Sequence, residues 1–204
     1  MPVPLVPEIR LHLAAEPIGL WQRTERDLGQ TGLPPPYWAF AWAGGQALAR
    51  YLLDHPGVVA GRRVIDLASG SGLVAIAAAR AGAATVTAYD VDPLAVAAIA
   101  VNAAANDVSV TGVCADILQP GGPPAPAAGV VLVADAFYQR ELAASMLSFL
   151  DGARARGAAV LAADLGRAYL PRARLTALRA YDVPGLAAVE DQDVRTTTIW
   201  ALSP

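Results

Sequence analysis

A chain of 204 residues with 55% hydrophobic and 16% charged side chains can bury a full apolar core at the size of one α/β domain, which excludes disorder as its main state. A net charge of −3 without any basic tract offers no footprint for a nucleic-acid backbone, and no apolar run reaches the ~18 residues of a membrane-spanning helix. One cysteine, Cys114, and two histidines, His12 and His55, exclude an internal disulfide and a zinc site of the usual N/S type, so no metal is expected.

All fifteen cationic side chains are arginine. A phosphate-loop lysine and Schiff-base chemistry are thereby excluded. The opening MPVPLVPEIRLHL has no basic stretch followed by an apolar one, so a secretory leader is not expected and the reading is cytoplasmic.

In chain order, Ile18 to Leu28 reads as a helix. Gly32 to Pro36 (GLPPP) breaks the chain. A second helix is expected from about Trp38 to His55, which would put Trp38 and Trp42 on one face. Val64 to Leu67 is a short apolar strand before Gly70 and Gly72, and Leu73 to Ala81 continues as a helix. Thr85 to Tyr89 is the next strand, ending at Asp90. Pro93 sits where a first helical turn tolerates it, opening a helix to about Ala105. Val108 to Cys114 is a third strand, ending at Asp116, with Cys114 expected as a small buried hydrophobe. Pro120 to Pro126 (PGGPPAP) is an exposed loop. Val130 to Ala134 and Ala158 to Ala163 are the fourth and fifth strands. Ala187 to Val189 and Thr196 to Leu202 read as a closing hairpin.

Strands that alternate with helices, and are apolar throughout rather than on one face, predict an α/β fold with a parallel sheet covered on both sides. The expected organisation is a single domain over 1–204, an N-terminal helical segment (1–60) ahead of a Rossmann-like core (61–204). Ligands of such sheets bind beyond the carboxyl ends of the strands. Asp66, Asp90, Asp116, Asp135 and Asp164 all fall at such ends.

Asp66-Leu67-Ala68-Ser69-Gly70-Ser71-Gly72 follows a strand and opens a helix, where glycines let the backbone turn and approach a ligand closely. Gly70, Gly72 and Ala75 fit the dinucleotide pattern, with Asp90 at the distance of its ribose-binding acid, so a nicotinamide dehydrogenase enters as one reading. Asp66 points elsewhere: a carboxylate would repel a pyrophosphate and attract an amino group. The long segment ahead of the first strand, with Tyr37-Trp38-Ala39-Phe40-Ala41-Trp42, exceeds a minimal dinucleotide domain.

The stretch VIDLASGSGLV (Val64 to Val74) resembles the first motif of class I S-adenosylmethionine-dependent methyltransferases, with Ala68 in place of its first glycine. Asp90-Val91-Asp92-Pro93 followed by Asn102 resembles the second motif of the ribosomal protein L11 methyltransferases. Tyr37 to Tyr51 (YWAFAWAGGQALARY), Asp135-Ala136-Phe137-Tyr138 and Asp164 to Pro171 (DLGRAYLP) are similar to bacterial relatives of the electron transfer flavoprotein β-subunit lysine methyltransferase. The resemblance covers nearly the whole chain. It implies a three-layer Rossmann-like sandwich with a seven-stranded, mostly parallel sheet and an antiparallel last strand. It also implies S-adenosyl-L-methionine as cofactor and an acceptor lysine on a protein partner, while charge and the lack of a long apolar run predict neither nucleic acid nor membrane as partner.

Carried over by residue, the resemblance gives Asp66 the methionine amino group, and Ala68, Gly70 and Gly72 the turn beside it. Asp90 would receive the ribose hydroxyls, Asp116 the adenine amino group, and Trp42 would line the pocket. Asp135 and Tyr138 would stand where the acceptor enters. A lysine amine, with a pKa near 10.4, must lose its proton before it attacks. Asp135 is expected to take or orient that proton and Tyr138 to position the amine. Plainer roles exist for each: a helix cap for Asp135, packing for Tyr138, Trp38 and Trp42. Arg167 is read as a contact to an acidic substrate surface or as a solvated loop residue. A small-molecule amine, a ribosomal protein amine, or a cofactor-binding module without catalysis remain as other functions on the same fold.

Overall fold

Val64 to Leu67 and Val130 to Val133 are buried on both sides of the strand, as a sheet covered by helices on each face requires. The computed structural model describes residues 1–14, 17–29, 31–119, 127–184 and 194–203. Its main sheet has seven strands in the order β5 (Thr111–Cys114), β4 (Thr85–Asp90), β3 (Arg63–Leu67), β6 (Val130–Ala134), β7 (Ala159–Asp164), β9 (Val194–Leu202) and β8 (Leu175–Pro184). The first five run parallel. The last strand in sequence, β9, runs antiparallel between β7 and β8. This is the seven-stranded, mostly parallel architecture the sequence implied.

Helices α2 (Ala43–Asp54), α3 (Leu73–Arg80) and α4 (Pro93–Ala104) cover one face. Leu48, Ile76 and Ile99 meet Val64, Val86 and Leu132 there. Helix α5 (Arg140–Ala155) covers the other, placing Ala143, Met146, Leu150 and Ala153 against Ile65, Val131 and Val160. That 3-4-3 spacing is one helical stripe. The sheet thus separates two cores, each fed by alternate strand residues.

The N-terminal segment is not only helical. β1 (Pro2–Val3) and β2 (Val6–Arg10) form a small antiparallel sheet ahead of α1 (Pro17–Leu28). Val3, Val6, Ile9 and Leu11 are buried in the core of α2, α3 and α4. Asn102 on α4 and Asn106 in the turn that follows it hold the strand. The Asn106 side chain pairs with both the N–H (2.9 Å) and the C=O (2.6 Å) of Arg10, and Asn102 Oδ1 accepts the N–H of His12 (2.8 Å). Two amides at helical spacing thus read a strand at its own two-residue spacing.

Three expectations change. The helix expected from Trp38 begins only at Ala43. Tyr37–Ala39 is a single 3₁₀ turn, Phe40 is extended (φ −131°, ψ 153°), and Trp42 is the N-cap of α2 (φ −62°, ψ 153°). Trp38 and Trp42 therefore share no helix face. The cause is tertiary, since the first turn of α2 receives its cap from Asp135. Second, β5 starts at Thr111 and Cys114 is exposed, not buried, because β5 is the edge of the sheet. Third, β8, the partner of β9, spans Leu175–Pro184. Ala187 to Val189 and the loop Pro120 to Pro126 lie outside the described residues. β8 escapes a periodicity reading because an edge strand exposed along most of its length has no apolar alternation. Among the described residues no helix is long and apolar enough to cross a membrane.

Candidate active site

The strand order reverses between β3 and β6, and a cavity of about 620 Å³ opens beyond the carboxyl ends of β3, β4 and β6 at that point. It lies within the usual size of small-molecule sites, roughly 300–1,000 Å³. Each of the nine expected site residues except Gly72 lines it.

The glycine loop forms one wall. Ala68, Gly70 and Gly72 all take left-handed backbone, at φ 51°, 53° and 82°. Ala68 therefore keeps the turn that a glycine would make, against a penalty of about 1–2 kcal/mol for its Cβ. Gly70 donates its N–H to Asp90 Oδ2 at 2.9 Å. Gly72 caps α3 from behind the loop, where a Cβ would stand 3.2 Å from Ile99 on α4. Its part is close helix packing rather than contact with a ligand.

Asp66, at the end of β3, is 1% exposed. Its carboxylate accepts from Ser69 Oγ, and burial pushes its pKa up to about 7. No cationic side chain among the described residues pairs with it. A buried acid facing a cavity without a counter-charge is a site for a cationic group. Asp90, at the end of β4, binds the N–H of Asp92 through Oδ1 (3.0 Å) and that of Gly70 through Oδ2. Burial raises its pKa as well. One acceptor lone pair per oxygen remains for hydroxyl groups. Asp116 uses Oδ1 to accept the N–H of Leu118 (3.0 Å) and stays half-buried beside the cavity.

Aromatic rings close the opposite side. Trp42 donates its Nε1–H to the carbonyl of Tyr37 (2.8 Å), so its polar atom is used internally and its ring serves as wall. Its centroid lies 5.5 Å from Phe40 and 6.0 Å from Tyr37. Tyr138 stands 46% exposed at the mouth, its ring 6.1 Å from Tyr37.

Asp135 lines the cavity where the sheet meets the first turn of α2. It is left-handed (φ 58°) at the end of β6, with its N–H given to Ala163 on β7 (3.0 Å). Oδ2 accepts the N–H of Gly45 in the first turn of α2 (2.9 Å), and Oδ1 accepts Arg167 Nη1 (2.7 Å). Burial raises its pKa and the Arg167 charge opposes that rise. The capping role is real but falls on α2, not on the helix that follows Asp135 in sequence.

Sequence reasoning missed two participants. Gly44 must be glycine, since a Cβ would lie 2.5 Å from Asp135 Oδ2 and 2.9 Å from the carbonyl of Ala163. The signal was the Gly-Gly pair in a helix, which local propensity disfavours. Arg167 is not a solvated loop residue. It bridges Asp135 and Asp164.

The family described as "Ribosomal protein L11 methyltransferase (PrmA)" matches residues 46–134. The electron transfer flavoprotein beta subunit lysine methyltransferase of Xenopus laevis is 39% identical, over 98% of this chain and 82% of its own. Its counterpart from Danio rerio is 35% identical, over 96% of this chain and 76% of its own. Among solved structures, a T. thermophilus 16S rRNA methyltransferase in complex with AdoMet and guanosine superposes with a TM-score of 0.57. It shares 16% identity, over 80% of this chain and 43% of its own.

Proposed function

This chain belongs to the family of the electron transfer flavoprotein beta subunit lysine methyltransferases, and from that premise we propose that it methylates lysine side chains of a protein. It is an S-adenosylmethionine-dependent methyltransferase, and its cavity fits that cofactor. The fit rests on Asp66, whose buried carboxylate, held by Ser69 and without a counter-charge among the described residues, suits an amino group. In this reading Ala68 and Gly70 give backbone room, Asp90 receives the ribose hydroxyls, Asp116 the adenine amino group, and Trp42 the flat face of the pocket.

Bound cofactor supplies an electrophilic methyl group on a sulfonium. The protein holds the acceptor amine against it, and such positioning contributes roughly 7–11 kcal/mol to acceleration. Tyr138, half exposed at the mouth, positions the incoming amine through its hydroxyl. Asp135 orients the amine. Its carboxylate is already hydrogen-bonded at both oxygens, which supports orientation over proton removal. The amine's proton then leaves to solvent, and desolvation of the amine in the cavity favours its neutral form. A protein acceptor accords with a net charge of −3 and no basic tract, which offer nothing to a phosphate backbone.

The observation that carries the reading is the continuity of one cavity from Asp66 to Asp135 and Tyr138. Calorimetric titration with S-adenosylhomocysteine and with NAD tests the cofactor half, where the first alone binds. Methyl transfer by Asp135→Asn and Tyr138→Phe variants tests the acceptor half. Each should keep S-adenosylhomocysteine affinity and lose kcat, and full-rate transfer by Asp135→Asn removes Asp135 from the reaction.

A further inference from the structure

Arg167 lies in the segment after β7, where a solvated arginine is the ordinary expectation, yet only 24% of its side chain is exposed. Asp164, at the end of β7 and 1% exposed, grips this residue twice. Its Oδ1 accepts the main-chain N–H groups of Gly166 and Arg167, both at 2.7 Å, and its Oδ2 accepts Arg167 Nη1 at 3.0 Å. The same Nη1 reaches across to the end of β6 and donates to Asp135 Oδ1 at 2.7 Å. From the other side, the first turn of α2 holds Asp135 Oδ2 through the N–H of Gly45. The carboxylate is thereby fixed between two elements of different layers.

The charge arithmetic explains why an arginine is needed. Two carboxylates, Asp135 and Asp164, share one guanidinium. Without it, two buried acids would face each other, and one would take up a proton. Protonation would turn Asp135 from an acceptor-only group into a partial donor, the wrong partner for an amine that must present its lone pair to the methyl carbon. The charged groups acting on Asp135 are Arg167 and Asp164, alongside the amide of Gly45.

We propose that Arg167 is a positioning residue for methyl transfer: its bridge from Asp164 fixes the Asp135 carboxylate in the cavity wall, where that carboxylate orients the acceptor amine. The proposal rests on the amine-acceptor reading above, and its test separates the two. Carboxyl resonances of ¹³C-labelled aspartate are followed against pH in the wild-type protein and in Arg167→Gln, with Asp135→Asn identifying the Asp135 signal. In Arg167→Gln that signal titrates about one unit or more higher. S-adenosylhomocysteine affinity stays unchanged, while kcat for lysine methylation falls roughly 100-fold, as for a misplaced reacting group. Arg167→Lys keeps the charge, restores the titration and recovers part of kcat, because a flexible ammonium holds the two carboxylates less rigidly than the guanidinium. If Arg167→Gln does not fold, Arg167→Lys still reads out a lowered kcat at unchanged cofactor affinity. An unmoved Asp135 titration, or full kcat in Arg167→Gln, overturns the proposal. A wild-type protein that binds S-adenosylhomocysteine but methylates no lysine sinks the acceptor reading instead, and the titration still decides what Arg167 does to Asp135.

Discussion

Asp66 sets the chemistry of the cofactor site at the scale of one residue. Burial lifts its pKa to about 7, so near neutrality the free protein holds it partly protonated. A cationic amino group requires the ionised form. S-adenosylhomocysteine affinity should therefore fall about tenfold per pH unit below about pH 7 and level off above it. Calorimetry between pH 5 and 8 would show this slope, and Asp66→Asn should abolish it while weakening binding. The stability consequence has the opposite sense. An acid whose folded pKa exceeds its unfolded one stabilises the protein below the unfolded value, and that contribution is lost as pH rises through about 7. Asp66→Asn should then make the free protein more stable at pH 8, measured by urea unfolding. Ala68 gives a second test. Its φ of 51° is a conformation glycine adopts freely, so Ala68→Gly should gain up to about 1 kcal/mol. No gain would mean that the loop relaxes around alanine.

Elements decide how far the sequence could be read. The core strands β3, β6 and β7 were legible because their apolar runs are short, bounded and continuous. The acids at their ends pointed to the site for the same topological reason. The start of α2 was not legible. Asp135, distant in sequence, supplies its cap, and Gly44 is kept where propensity argues against it. Gly44→Ala should test that logic. Helix propensity alone favours alanine by about 1 kcal/mol. The contact with Asp135 Oδ2 should reverse the sign and cost about 1–3 kcal/mol, with loss of methyl transfer. Cys114 was misread because a strand's burial depends on its place in the sheet, and nothing local marks β5 as the edge. Arg167 was misread because its partners come from two strand ends. The N-terminal sheet was missed because its ladder is completed by the side chains of Asn102 and Asn106. Asn106→Ala would remove two hydrogen bonds to the Arg10 main chain, at about 1–3 kcal/mol in thermal or urea unfolding.

Across the whole molecule, one cavity joins an acid suited to an amino group, Asp66, to an acid suited to an amine acceptor, Asp135. The sheet carries both at neighbouring strand ends, β3 and β6, on either side of its reversal point. Asn102 extends this outward. Its amide donates to the carbonyl of Ser71 in the glycine loop (2.8 Å), while its oxygen holds His12 of the N-terminal segment. The N-terminal sheet thus braces the cofactor loop from outside the cavity. The central claim is methyl transfer to a protein lysine. Its most direct test is to incubate the purified protein with S-adenosylmethionine and purified electron transfer flavoprotein, then map added methyl groups by peptide mass spectrometry. Methylated lysine in that protein, absent when Asp135→Asn replaces the wild type, is the expected result. Cofactor binding with no methyl on any lysine, or transfer only to small amines, would contradict it.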